Sequence, residues 1–190
     1  MLMAGAAAKG GVFFLGLWLP QAHGQAPTAI SALLSGLVVK MGVVTMLRLT
    51  DAFQIGWPLL AMGVATGVFG LIYAMWERDL KVFLAYSTMS QLGYVLIGLG
   101  LGGGARTVAI GYAVGHGVFK ALLFLAAGRG VDTAGRRRLP ELTGRLHRST
   151  TVALGWGMWA IVGLPPLSGF ALKEGLGAAS PAWAQGCWWG

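Results

Sequence analysis

Six apolar runs of about twenty residues each follow one another along this 190-residue chain: Met1–Leu19, Pro27–Leu49, Trp57–Trp76, Val82–Leu101, Ala105–Gly128 and Thr150–Leu172. A helix needs about 20 residues to cross the hydrocarbon of a bilayer. Lipid offers no partner for open backbone groups, so each run must be helical. The pattern predicts an all-α, polytopic membrane helix bundle with about six transmembrane helices. The chain is 56% hydrophobic and 11% charged, against about 25% charged in an average soluble domain. A globule of this size cannot hide that much apolar surface, which excludes an ordinary soluble enzyme, a disordered chain and a coiled coil. The single cysteine excludes a disulfide framework, a cysteine-ligated cluster and a four-thiolate zinc site.

Turn chemistry marks the expected breaks, at Pro20 to Pro27, Thr50 to Trp57, Gly102-Gly103-Gly104 and the polar stretch Arg129–Ser149. The last of these has room for no more than a short surface helix, and no soluble domain is expected. Met1–Leu19 lacks the basic leading region of a signal peptide, and its one charge, Lys9, lies mid-run. The expectation is a chain that begins inside a larger membrane protein.

The net charge of +8 suggests a nucleic-acid binder until its placement is read. Six crossings put Arg78, Lys81, Arg129, Arg136, Arg137, Arg138, Arg145 and Arg148 on one side and only Arg48 and Arg106 on the other. That asymmetry predicts that the basic loops are cytoplasmic. Their expected contact is with anionic lipid headgroups, and no nucleic-acid partner is expected.

Four of the fourteen basic residues remain, and all lie inside apolar runs: Lys9, Lys40, Lys120 and Lys173. A lysine at mid-membrane costs about 3 kcal/mol on the most lenient scale. Lys40 is thirteen residues past Pro27 and eight before Arg48, hence about 20 Å and 12 Å from those ends at 1.5 Å per residue. A lysine stem does not comfortably snorkel that far. Lys120, fifteen residues after Ala105, is similarly deep. Such amines are sensible facing a bundle interior with water or a partner. Tyr112, His116 and Lys120 recur at helical spacing and share a face, an order of groups suited to passing a proton.

Two runs read as discontinuous. Lys9 is followed by Gly10-Gly11, and Gly163-Leu164-Pro165-Pro166 precedes Ser168-Gly169 and Lys173-Glu174. Broken helices with freed backbone groups near mid-membrane mark ion and substrate sites in transporters. The fourth run adds Ser87, Ser90, Gln91 and Tyr94, which serve either interhelical hydrogen bonding or a water path.

These residues fall into blocks that resemble a known family: "WLPQAHGQAPTA" (18–29), "SALLSGLVVKMG" (31–42), "DLKVFLAYSTMSQLGY" (79–94), "HGVFKALLFLAAG" (116–128) and "GLPPLSGFALKE" (163–174). They are similar to the proton-translocating, antiporter-like membrane subunits of proton-pumping NADH:quinone oxidoreductase and of multisubunit Mrp sodium/proton antiporters. The "AHGQAP" block looks more like the chain-4/subunit-M type, or the Mrp D type, than chain 5. The resemblance covers residues 1–176 as a partial antiporter-like transmembrane domain. Residues 177–190, with Cys187, Trp188 and Trp189, do not continue the family pattern and read as a non-family tail, a fragment end or a shifted reading frame.

The resemblance implies a fold of two inverted repeats, each with a broken helix, of which this chain supplies part. It implies a proton relay through Lys9, Lys40, His116, Lys120 and Lys173, with Lys9 and Lys173 on the broken helices. Tyr112 departs from relatives that carry a further histidine there. Tyr112, Ser87, Ser90, Gln91 and Glu174 are candidates for bridging the relay or lining its water path. The chain shows no nucleotide or flavin motif and no cluster ligands. NAD(P)H, flavin, iron–sulfur clusters and quinone are therefore expected only in partner subunits, and no cofactor or metal in this chain. The expected setting is a bacterial plasma membrane or a thylakoid membrane, and the transported ion is H+ with Na+ as the alternative. Three functional readings follow: a complex I-like proton pump subunit, an Mrp-type cation/proton antiporter subunit, or an inactive truncated fragment.

Overall fold

The protein is described by a computed structural model covering residues 1–142, 144–165 and 168–179. Within these the chain is helical: α1 (Leu2–Lys9), α2 (Trp18–Gln25), α3 (Thr28–Leu33), a π-helical turn (Leu34–Val38), α4 (Val39–Phe53), α5 (Gly56–Trp76), α6 (Leu80–Leu101), α7 (Gly103–Ala134), α8 (Leu139–Leu142), α9 (Arg148–Val162) and α10 (Ser168–Ala178). Among the described residues, four stretches are long and apolar enough to span a bilayer: Thr28–Phe53, Gly56–Trp76, Leu80–Leu101 and Gly103–Ala134. They correspond to four of the six expected segments.

The other two are the broken ones. Gly11 and Phe14 adopt positive φ (67° and 72°) and end α1 after only eight residues. Phe14 bears a steric cost in that region, and its neighbourhood is held by α5. The Phe13 N–H donates to Thr66 Oγ1 at 3.1 Å, and the Phe13 ring stacks on Phe69 at 4.0 Å. At the other end Gly163, at φ 82°, stops α9 and leaves α10 to start afresh. Pro166, Cys187, Trp188 and Trp189 lie outside the described residues.

Two sequence expectations are corrected. Pro20 to Pro27 is not a turn: Trp18–Gln25 is helix, with Pro20 in its first turn, where a missing N–H does no harm. α7 also runs six residues past Gly128, because its last turns are polar but still helical. Its 32 residues span about 48 Å, well beyond the ~30 Å of hydrocarbon.

α6 is the central element. Asp79 caps its start, accepting from Lys81 N at 2.9 Å and Val82 N at 3.2 Å. α5 packs along it through glycines. A Cβ on Gly93 would lie 2.6 Å from the Gly67 backbone, and one on Gly70 would lie 2.6 Å from Ser90 N. Small residues let membrane helices approach this closely. Gly93→Val is therefore expected to force α5 and α6 apart and lower the melting temperature of the purified protein in detergent. An unchanged melting temperature would show that the contact is not needed.

The charged ends segregate as expected. At one end Arg106 pairs with Asp51 at 2.5 Å and donates to Leu47 O at 3.2 Å. At the other, Leu80 N donates to Arg137 O (3.1 Å) and Leu139 N to Arg78 O (2.8 Å), stitching the α5–α6 and α7–α8 connections together. Arg137 reaches across to the Gly24 carbonyl.

Candidate functional site

Successive turns of α6 present polar groups to its neighbours. Lys120, fully buried on α7, donates to Leu84 O at 2.9 Å and to Ser87 Oγ at 2.6 Å. One turn on, Thr88 Oγ1 meets Ser35 Oγ of the π turn at 3.0 Å. Next, Gln91 Oε1 accepts from the Tyr112 hydroxyl, both groups being buried. Lys173 Nζ then sits 5.1 Å above the Tyr94 ring and donates to Ile161 O (2.7 Å) and Val162 O (3.2 Å), carbonyls at the broken end of α9.

Lys40 and His116 join these rungs. Lys40 Nζ lies 3.0 Å from His116 Nδ1 and donates to Ser35 O at 2.5 Å. Ser35 belongs to the π turn just before Lys40, an interruption of the kind often found at functional sites. His116 is fully buried, and its Nε2 has no hydrogen-bond partner among the described residues. One proton shared between Lys40 Nζ and His116 Nδ1 satisfies both nitrogens, as ammonium on imidazole or amine on imidazolium. Lys40 also borders a groove of about 630 Å³ walled by Ala32, Gly36, Ala113 and Gly117.

The structure thus brings Lys40, His116, Lys120 and Ser87 together, and places Tyr112, Gln91 and Lys173 further along α6. It does not bring in the rest. Lys9 is exposed at the end of α1, on a side where no described helix covers it. Glu174 is exposed on α10. The Ser90 hydroxyl donates to Gly67 O at 3.0 Å, tying α6 to α5.

Four polar residues escape the sequence reading. His23 is fully buried and stacked on Phe124 at 4.3 Å, and neither ring nitrogen has a partner among the described residues. Lys81, expected in a loop, is 4% exposed, with Nζ 3.4 Å from Thr28 Oγ1 and 3.5 Å from Ala26 O. A lysine in the first turn of a helix opposes the helix dipole, and that was the available signal. Ser35 and Thr88 complete the set.

With the geometry in place, comparison with known proteins is informative. A profile of the family described as NADH:quinone oxidoreductase/Mrp antiporter, transmembrane, matches residues 1–189, and so runs across the region read as a non-family tail. Hydrogenase-4 component B of Escherichia coli K12 is 35% identical over 87% of this chain and 28% of its own length. A Na(+)/H(+) antiporter subunit of Alkalihalophilus pseudofirmus is 36% identical over 92% of the chain and 24% of its own. Chloroplastic NAD(P)H-quinone oxidoreductase subunit 5 of Brachypodium distachyon is also 36% identical, over 92% and 25%. The Mrp complex from Dietzia sp. DQ12-45-1b superposes with a TM-score of 0.87 at 30% identity, over 97% of this chain and 36% of the matched one. An archaeal membrane-bound sulfane sulfur reductase superposes with a TM-score of 0.88 at 26% identity, over 98% and 42%. The chain spans about a quarter of the length of these curated relatives. The oxidoreductase relative is of the subunit 5 type, whereas the 22–27 block points to chain 4 or Mrp D. The hydrogenase and sulfur reductase complexes lie outside the sequence expectation. This chain belongs to the NADH:quinone oxidoreductase/Mrp antiporter transmembrane family of integral membrane subunits.

Proposed function

We propose that the chain forms part of a proton-translocating subunit and moves H+ through the Lys40–His116–Lys120 cluster. The observation that carries this reading is that cluster itself: two amines and an imidazole on facing helices, linked at 3.0 Å on one side and anchored on Ser87 and a helix carbonyl on the other. Among the described residues no ion pair joins any of the three to a carboxylate. Like charges at such range in a poorly solvated interior cannot all be present together. Moving or wetting one site therefore changes where the proton resides. Lys173 extends the path toward the second broken helix. Lys9 joins it only when further helices cover the exposed end of α1.

In the complex I-like reading, electron transfer in partner subunits drives the relay. NAD(P)H, flavin, iron–sulfur clusters and quinone belong to those partners, and this chain binds none of them. The basic end, with Arg78, Arg137 and Arg138, faces the cytoplasm or its equivalent in a bacterial plasma or thylakoid membrane. A second reading, an Mrp-type cation/proton antiporter subunit, is favoured by the superposition on the Mrp complex and by the Na(+)/H(+) antiporter relative. Inverted vesicles carrying the native assembly separate the two. Proton uptake that follows addition of an electron donor and ignores Na+ supports the first reading. Proton flux driven by a Na+ gradient without a donor supports the second. Absence of both fluxes would overturn the proposal.

A further inference from the structure

We propose that the Tyr112–Gln91 hydrogen bond is a closed proton valve between the Lys40–His116–Lys120 cluster and Lys173, with Gln91 as its latch. The inference rests on the relay reading above and adds to it a point of control.

Tyr112 and His116 lie one turn apart on the same face of α7, their rings 6.3 Å apart and nearly parallel. Tyr112 is 2% exposed and its hydroxyl proton is committed to Gln91 Oε1. One turn along α6 from Gln91, the Tyr94 ring carries Lys173. Any path from His116 to Lys173 along this seam therefore meets the Tyr112–Gln91 pair.

A hydrogen-bonded chain carries a proton onward only where each member both accepts and donates. A tyrosine hydroxyl does both. A carboxamide oxygen only accepts, and its NH2 group does not surrender a proton under ordinary conditions. While Tyr112 points at Gln91 the chain ends there. When the hydroxyl turns away, a proton arriving on its oxygen forms one O–H bond as the original O–H bond breaks. The released proton passes through water to the Lys173 amine, and Tyr112 is neutral before and after. Gln91 holds the closed rotamer without itself titrating, so Gln91 is a positioning residue.

The valve makes the two partners of one hydrogen bond behave oppositely, which a merely structural bond does not. The test uses inverted vesicles bearing the protein in its native assembly, with a pH-sensitive dye reporting both passive proton conductance under a K+/valinomycin potential and driven transport. Gln91→Leu frees the hydroxyl and is expected to raise passive conductance about fivefold, the shift that loss of one neutral hydrogen bond gives. Tyr112→Phe removes the conducting hydroxyl and is expected to lower driven transport with no leak. The double variant Gln91→Leu/Tyr112→Phe is expected to be tight, which separates valve opening from leakage through a damaged bundle. The proposal is overturned if the single variants shift in the same direction, if Gln91→Leu leaves conductance unchanged, or if the double variant leaks as Gln91→Leu does. Undiminished driven transport in Lys40→Ala would instead overturn the relay reading, whatever Gln91 does.

Discussion

Lys40→Ala is expected to lower proton translocation by about a hundredfold or more while the protein still inserts and assembles. The size follows from the loss of a proton-transfer group, typically worth ~10²- to 10⁴-fold. His116 Nδ1 loses the nitrogen 3.0 Å away with which it shares a proton, and Ser35 O loses its donor. Assembly should survive, because Lys40 borders an open groove and its truncation leaves no closed cavity. Burying less charge also offsets the lost contacts, since a buried ionic group is a weak source of stability. Dye-quench measurements on inverted vesicles, with native-gel analysis of the assembled complex, check both halves. Wild-type translocation in an assembled variant would remove Lys40 from the path.

The sequence carries the spans well where hydropathy and helix coincide. Trp57–Trp76 and Val82–Leu101 match α5 and α6 to within two residues at either end. It also carries the breaks, since Gly10-Gly11 and Gly163 supply the backbone freedom needed to stop a helix in mid-run and restart it. It does not carry the partners of the amines. Leu84 O, Ser35 O and Ile161 O accept from Lys120, Lys40 and Lys173, and a carbonyl has no side-chain signature. The i, i+4 spacing of His116 and Lys120 correctly puts them on one face. It could not show that they engage different helices, His116 with Lys40 and Lys120 with α6. His23 and Lys81 escape for a different reason. Polar residues between apolar runs are read as turn or loop, yet Pro20 in a first turn lets α2 fold inward and bury His23. Lys9 goes the other way. Its depth along the run is legible, but its exposure depends on which helix lies across α1.

α6 gives these contacts a common logic. Its glycine face is closed down onto α5, and Ser90 is used to hold that contact. The opposite flank is left to receive α7, the π turn and the end of α9. One rigid helix thus sets the spacing of every rung from Leu84 to Tyr94, which is what a relay of short hydrogen bonds requires.

Lys120 offers the sharpest test of whether the cluster works by switching protonation or by supplying a fixed positive charge. Lys120→Arg keeps the charge but installs a guanidinium that does not deprotonate in proteins. Lys120→Met keeps the volume and removes the charge. If the amine must release and regain a proton, both variants should fall by about a hundredfold or more in driven translocation. If Lys120 only biases its neighbours electrostatically, Arg should retain most of the activity and Met should lose it. The methionine variant should fold, since its stem follows the lysine path past α6 and replaces a buried charge with an apolar group. The arginine variant asks more of the site, because Leu84 O and Ser87 Oγ are placed for an ammonium and a planar fork needs different acceptors. Quantifying assembled complex before transport separates that steric cost from the chemistry. Full activity of an assembled Lys120→Arg protein would show that Lys120 is a fixed charge, and would move the switching step to Lys40 and His116.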